Sequence, residues 1–118
     1  MPKIVKNIFG KMKRLGDILR ELREKRQLPL RTVAAFLDID QAILSRMERG
    51  QRKASREQVI KLSEYFEVDA NELLVAWLSD KVVYALADEE MAMDALKVAE
   101  DQIKYIKQEK NDRRATHT

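Results

Sequence analysis

Cysteine is absent from the chain and histidine occurs once, as His117. Disulfide staples, thiol nucleophiles, Cys-ligated zinc and any site built from two imidazoles are therefore excluded, and a cysteine-free chain fits a cytoplasmic location. Glycine is equally sparse, and Gly10, Gly16 and Gly50 are too scattered to form a phosphate-cradling loop. Aromatic residues make up only 6% of the chain. No apolar run approaches the roughly 20 residues of a bilayer span, and Met1 to Gly10 lacks the continuous apolar stretch of a signal peptide. His117 has no acidic or hydroxyl partner identifiable at a fixed geometry, so catalysis by a positioned base has no candidate. The sequence reads as a non-enzyme, with no metal and no cofactor.

What is present is 118 residues, 45% hydrophobic and 36% charged. That is one globular domain with an appendage and not a disordered chain. The net charge of +3 conceals a gradient: residues 1–14 carry +5 with no acid, residues 15–70 carry +1 and residues 71–118 carry −3. The acidic rear does not read as polyanion-binding. The densest basic patch is Arg46, Arg49, Arg52, Lys53 and Arg56, all within eleven residues.

Hydrophobic periodicity predicts an all-α chain. Leu15, Ile18, Leu19 and Leu22 line a first helix, which Gln27-Leu28-Pro29 ends. A short second helix turns Val33, Ala34 and Leu37 inward. Asp38-Ile39-Asp40 interrupts the pattern, and Asp40 is placed to cap a third helix with Ile43 or Leu44 and Met47 apolar, ending near Gly50. Ser55 caps a fourth helix with Val59, Leu62, Tyr65 and Phe66 on its buried face, closed by Val68. From Asp69 or Asn71 a fifth helix runs through Leu73, Leu74, Trp77 and Leu78 towards Leu86, too apolar for a surface helix. Asp88, Glu89 and Glu90 suit the start of a last helix, where Ala92, Leu96, Ala99, Ile103 and Ile106 step by four and three residues as a short heptad seam. The expected divisions are a basic arm (1–14), a domain (15–78), a helical extension (79–110) and a disordered tail (111–118).

Residues 30–49 match the spacing of a helix-turn-helix, with small Ala34 where two helices cross and Ile39, Leu44 and Met47 fixing the second helix. Leu15-Gly16, Leu19, Arg23, the run Ser45 to Gly50, Val59, Leu62 and Phe66-Glu67-Val68 fall in register around it. Over residues 15 to 75 the chain resembles the XRE-type, phage-repressor-like helix-turn-helix family. The resemblance implies a five-helix DNA-binding domain that acts as a dimer on a palindromic operator, with its third helix in the major groove. It implies Gln41, Ala42 and Arg46 as base readers, with Ile43 and Ser45 of second rank, and Arg31, Arg49, Arg52, Lys53 and Arg56 as backbone contacts. It also implies a structural ion pair between Arg23 and Glu48.

Three positions depart from the family pattern: Asp38 where glycine is common, Leu30 where a polar residue often meets phosphate, and Asp40 in place of a Ser or Thr cap. They point either to altered docking, with the basic arm compensating, or to a domain kept for protein contact. The arm carries Ile4, Val5, Ile8, Phe9 and Met12 opposite its lysines. It suits a helix packed on the domain, a minor-groove arm or a membrane-surface helix, in that order.

The leading functional expectation is a homodimeric transcriptional regulator, a repressor on double-stranded DNA, with Trp77, Val82, Leu96, Ala99, Ile103 and Ile106 at the dimer seam. The alternative is an antitoxin-like or other interaction module whose acidic C-terminal helices bind a partner protein. A membrane role rests on the arm alone.

Overall fold

A computed structural model describes residues 14–116. The basic arm, apart from Arg14, lies outside the described residues, and its three readings with it. Those residues form six α-helices and no strand: α1 (Leu15–Lys25), α2 (Leu30–Leu37), α3 (Gln41–Glu48), α4 (Arg56–Phe66), α5 (Ala70–Leu86) and α6 (Ala92–Thr116).

The helices begin and end where local chemistry stops the chain. Pro29 occupies the position just before α2 with φ −72° and ψ 157°, extended as a residue ahead of a helix must be. Asp38 terminates α2 in the left-handed conformation at φ 58°, and the Ile39 N–H closes the turn by donating to the Ala34 carbonyl at 3.0 Å. Aspartate tolerates that conformation better than most side chains, so the missing glycine leaves the turn intact. Ser55 and Gln58 exchange side-chain and backbone bonds of 3.1 and 2.9 Å at the start of α4. At the other end of α4, Glu67 is the left-handed residue and the Val68 N–H donates to Ser63 O, so the helix ends two residues before the expected Val68.

The apolar stripes of α1 to α5 converge on one core. Ile18, Val33, Leu44, Val59, Leu62 and Leu73 are its most enclosed side chains, each contributing about 1.5–3 kcal/mol of transfer free energy. Helix α5 departs from expectation. Only Leu73 and Ala76 are fully buried, Leu74 and Trp77 pack partly against the core, and Val75, Leu78, Val82 and Val83 are exposed. A helix this apolar all round has no polar face to mark the outside, so composition alone overestimates its burial.

The chain divides into two compact units, one ending at Val83 and the other starting at Tyr84. The division falls inside α5, which runs on as one helix through both it and the 78/79 boundary expected from the sequence. In the second unit, α6 begins at Ala92 and not at Asp88, after a turn in which Ala92 N–H donates to Glu89 O. It also continues to Thr116, where the sequence pointed to a disordered tail from Asn111. Pairs four residues apart, Glu109 with Arg113 and Gln108 with Asp112, and two arginines in the last turn supply helical support that apolar periodicity does not register.

Candidate nucleic-acid interface

Helices α2 and α3 pack on each other across the Asp38 turn, and α3 packs in turn on α1. Ala34 is 2% exposed at the crossing, as the small-residue requirement predicts. On the other side of α3 the approach is closer still. A Cβ added to Gly16 would lie 2.6 Å from the Met47 carbonyl oxygen and nearer yet to that of Glu48. Only a glycine lets the first turn of α1 rest on the last turn of α3.

The expected ion pair is present and two-pronged. Arg23 Nε and Nη2 donate to the Glu48 carboxylate at 2.7 and 3.0 Å, and Arg23 Nη1 donates to the Leu28 carbonyl at 2.8 Å. Side-chain exposures of 13% and 6% place the pair largely out of water, where charge-assisted geometry matters most. The hydrogen bonds to Glu48 raise the Arg23 pKa against the opposing pull of burial. One bridge thus joins α1, the loop before α2 and the end of α3.

With Leu44, Met47 and Glu48 buried, the opposite face of α3 is turned outward. Gln41, Ala42, Arg46 and Arg49 are exposed on it, and Ile43 and Ser45 are half-buried at its margins. Ile43 packs partly against the core, which limits its use as a reader. Asp40 stands at the start of α3 in an extended conformation, φ −65° and ψ 144°, but its carboxylate takes up none of the first-turn N–H groups. The expected side-chain cap is therefore not made. Arg31 is exposed in the first turn of α2, and Arg52, Lys53 and Arg56 are exposed in and after the loop that follows α3.

That loop is held from a direction the sequence did not disclose. The Trp77 indole N–H donates to the Ala54 carbonyl at 2.7 Å. Arg56 lies over the same ring at 5.2 Å and Lys81 Nζ at 3.6 Å from its centroid. Trp77, expected at a dimer seam, is thus engaged within its own unit. The signal that points to it is general: a tryptophan mostly enclosed by protein must find an acceptor for its N–H. Three more long-range bonds were equally hidden. Asp80 Oδ2 accepts the Leu15 N–H at 3.1 Å, and Arg26 donates to the Tyr65 and Phe66 carbonyls at 3.1 and 2.9 Å, completing the end of α4. Arg14 donates to Asp17 and, at 3.5 Å, to the Arg49 carbonyl, which puts a cation at the C-terminus of α3.

The other seam candidates lie apart from this surface in sequence. Val82 is exposed on α5, Leu96, Ile103 and Ile106 are exposed on α6, and Ala99 is half-buried. Among the described residues no helix is long and apolar enough to cross a membrane, and no group of acidic or histidine side chains is placed to hold a metal.

Two short helices locked at a fixed angle, with a polar and cationic outer face on the second, define a DNA-binding protein of the helix-turn-helix class. Residues 19–73 match the helix-turn-helix family model. Over that stretch the chain belongs to the XRE-type helix-turn-helix family, whose members are DNA-binding transcriptional regulators. Among solved structures it is similar to the restriction-modification controller protein C.AhdI from Aeromonas hydrophila, at 34% identity over 50% of this chain and 89% of that one, with a TM-score of 0.46. No curated protein matches the chain.

Proposed function

We propose that the protein is a homodimeric transcriptional repressor that reads a palindromic operator with α3 in the major groove. The observation that carries this is the two-sidedness of α3: Leu44, Met47 and Glu48 are buried while Gln41, Ala42 and Arg46 are exposed. Arg46 donates to guanine O6 and N7, Gln41 pairs with adenine and Ala42 meets a thymine methyl. Arg31, Arg49, Arg52, Lys53 and Arg56 neutralise phosphates and set affinity without selecting sequence. The heptad seam of α6, with Leu96, Ala99, Ile103 and Ile106, joins two copies, and Val82 of α5 adds to the contact.

Selection of bound sites from a random duplex library at roughly 150 mM salt, where nonspecific phosphate binding is already weakened, tests this reading. Enrichment of a palindrome with half-sites about one helical turn, roughly 34 Å, apart is the expected result. No enrichment from folded protein overturns it.

A second reading, an antitoxin-like module that grips a partner protein through its acidic rear, is favoured by one observation: α6 has no buried residue. Co-purification of the full chain with a basic protein, in place of a homodimer, supports that alternative.

A further inference from the structure

Helix α6 is 25 residues long and buries none of them, yet Leu96, Ile103 and Ile106 form an apolar stripe left 40–53% exposed. Its charge is segregated along its length. Residues 92–101 contain three acidic side chains and one lysine, whereas residues 102–114 contain five basic and two acidic ones. The helix dipole favours acids in the first turn and bases in the last, and its influence fades within a turn of each end. It does not account for Glu100 and Lys107, which flank the seam seven residues apart, although Glu100 also meets Lys104 of the same helix at 3.5 Å. A second helix lying alongside does account for them, provided it runs the other way.

We propose that α6 docks on α6 of a second copy in antiparallel orientation, the acidic half of each helix against the basic half of the other. This rests on the reading of α6 as the self-association element and adds its direction and register. The heptad continues past Ile106 into Lys110 and Arg113. In a parallel pair these cations meet their own copies across the seam, and acidic half lies on acidic half. In the antiparallel pair Ile103 meets Ile106 of the partner subunit at the centre, and Glu100 faces Lys107 of the partner subunit. The long stem of Lys110 then crosses small Ala99 of the partner subunit, a match of size. At 1.5 Å per residue the helix spans about 37 Å, so the antiparallel pair sets the two α6 N-termini at opposite ends of the helix pair.

Because the chain has no cysteine, one introduced thiol reports one site. Met93→Cys and Tyr105→Cys, at positions 75% and 65% exposed, are each spin-labelled in the full chain, and intermolecular distances are read by pulsed dipolar spectroscopy. The antiparallel pair places the Tyr105 labels within about 20 Å of each other and the Met93 labels about 35 Å apart. Short distances at both sites mean a parallel pair, which overturns the direction and leaves α6 self-association standing. A long distance or no coupling at Tyr105 overturns both the direction and the role of α6 on which it depends.

Discussion

The indole N–H of Trp77 is hydrogen-bonded at 2.7 Å to the carbonyl of Ala54, so α5 holds the loop that presents Arg52 and Lys53. Trp77→Phe keeps the ring under Arg56 and Lys81 and removes only the donor. The bond is worth about 0.5–1.5 kcal/mol, and the loop should loosen by that amount. Affinity for an operator and for random duplex should fall by the same factor, at most roughly tenfold, when both are titrated by fluorescence anisotropy at matched salt. A loss confined to the operator contradicts the assignment of this loop to the phosphate backbone.

Arg46 and Lys53 should separate reading from anchoring. Arg46→Ala should relax preference at one base position at a cost of roughly 1–3 kcal/mol, whereas Lys53→Ala should weaken binding to all sequences and flatten the salt slope by about one unit. Uniform loss on every sequence from both substitutions would remove Arg46 from the list of readers.

The Arg23–Glu48 bridge should be among the most sensitive polar contacts in the domain. Truncating either partner to alanine leaves a largely buried charge alone and should cost about 3–5 kcal/mol in urea unfolding. Removing both should cost less than the two single losses together, which a double-mutant cycle measures directly.

Gly16→Ala should destabilise the domain by about 1–3 kcal/mol, because the methyl meets backbone carbonyls that cannot rotate away. Gly50 provides the comparison. An added Cβ there meets chiefly the Arg14 guanidinium, which can move, and the remaining cost comes from its φ of 75°. A Gly16→Ala variant with an unchanged unfolding midpoint would show that α1 does not rest on the end of α3.

Asp80 should give stability a pH dependence. Burial raises its pKa, outweighing the lowering effects of the Leu15 N–H and of Arg14. A carboxyl whose folded pKa lies above its unfolded one favours folding most below the unfolded pKa, and that contribution is lost as pH rises through the folded value. At neutral pH the charged form is therefore a burden, and Asp80→Asn should be at least as stable as the parent because its amide oxygen still accepts from Leu15. The advantage should vanish below the ordinary carboxylate range, as followed by urea unfolding at both pH values. A variant less stable at neutral pH than in acid, relative to the parent, would reverse the sign.

Much of the domain was legible in one dimension. The stripes Leu15-Ile18-Leu19-Leu22 and Val33-Ala34-Leu37, the left-handed Asp38 and the Ser55 cap are local features, decided by side-chain spacing at 3.6 residues per turn and by bonds reaching only three or four residues. The outward face of α3 follows from the same periodicity once Leu44 and Met47 are turned in. The Arg23–Glu48 pair was accessible through resemblance to a family, because its partners are separated by 25 residues and no local rule joins them.

Tertiary structure alone decided which polar groups complete one another at long range. Asp80 with Leu15, Arg26 with the end of α4, and Trp77 with Ala54 link positions between 23 and 65 residues apart. Each bond exists because a polar group enclosed by protein must find a partner, and the identity of that partner depends on how helices cross, which periodicity does not specify. The same reason explains α5, whose apolar residues predicted a helix but not its burial. Sequence by itself determined the helices of the domain and the outward face of α3; their assembly in three dimensions determined what holds that face in place.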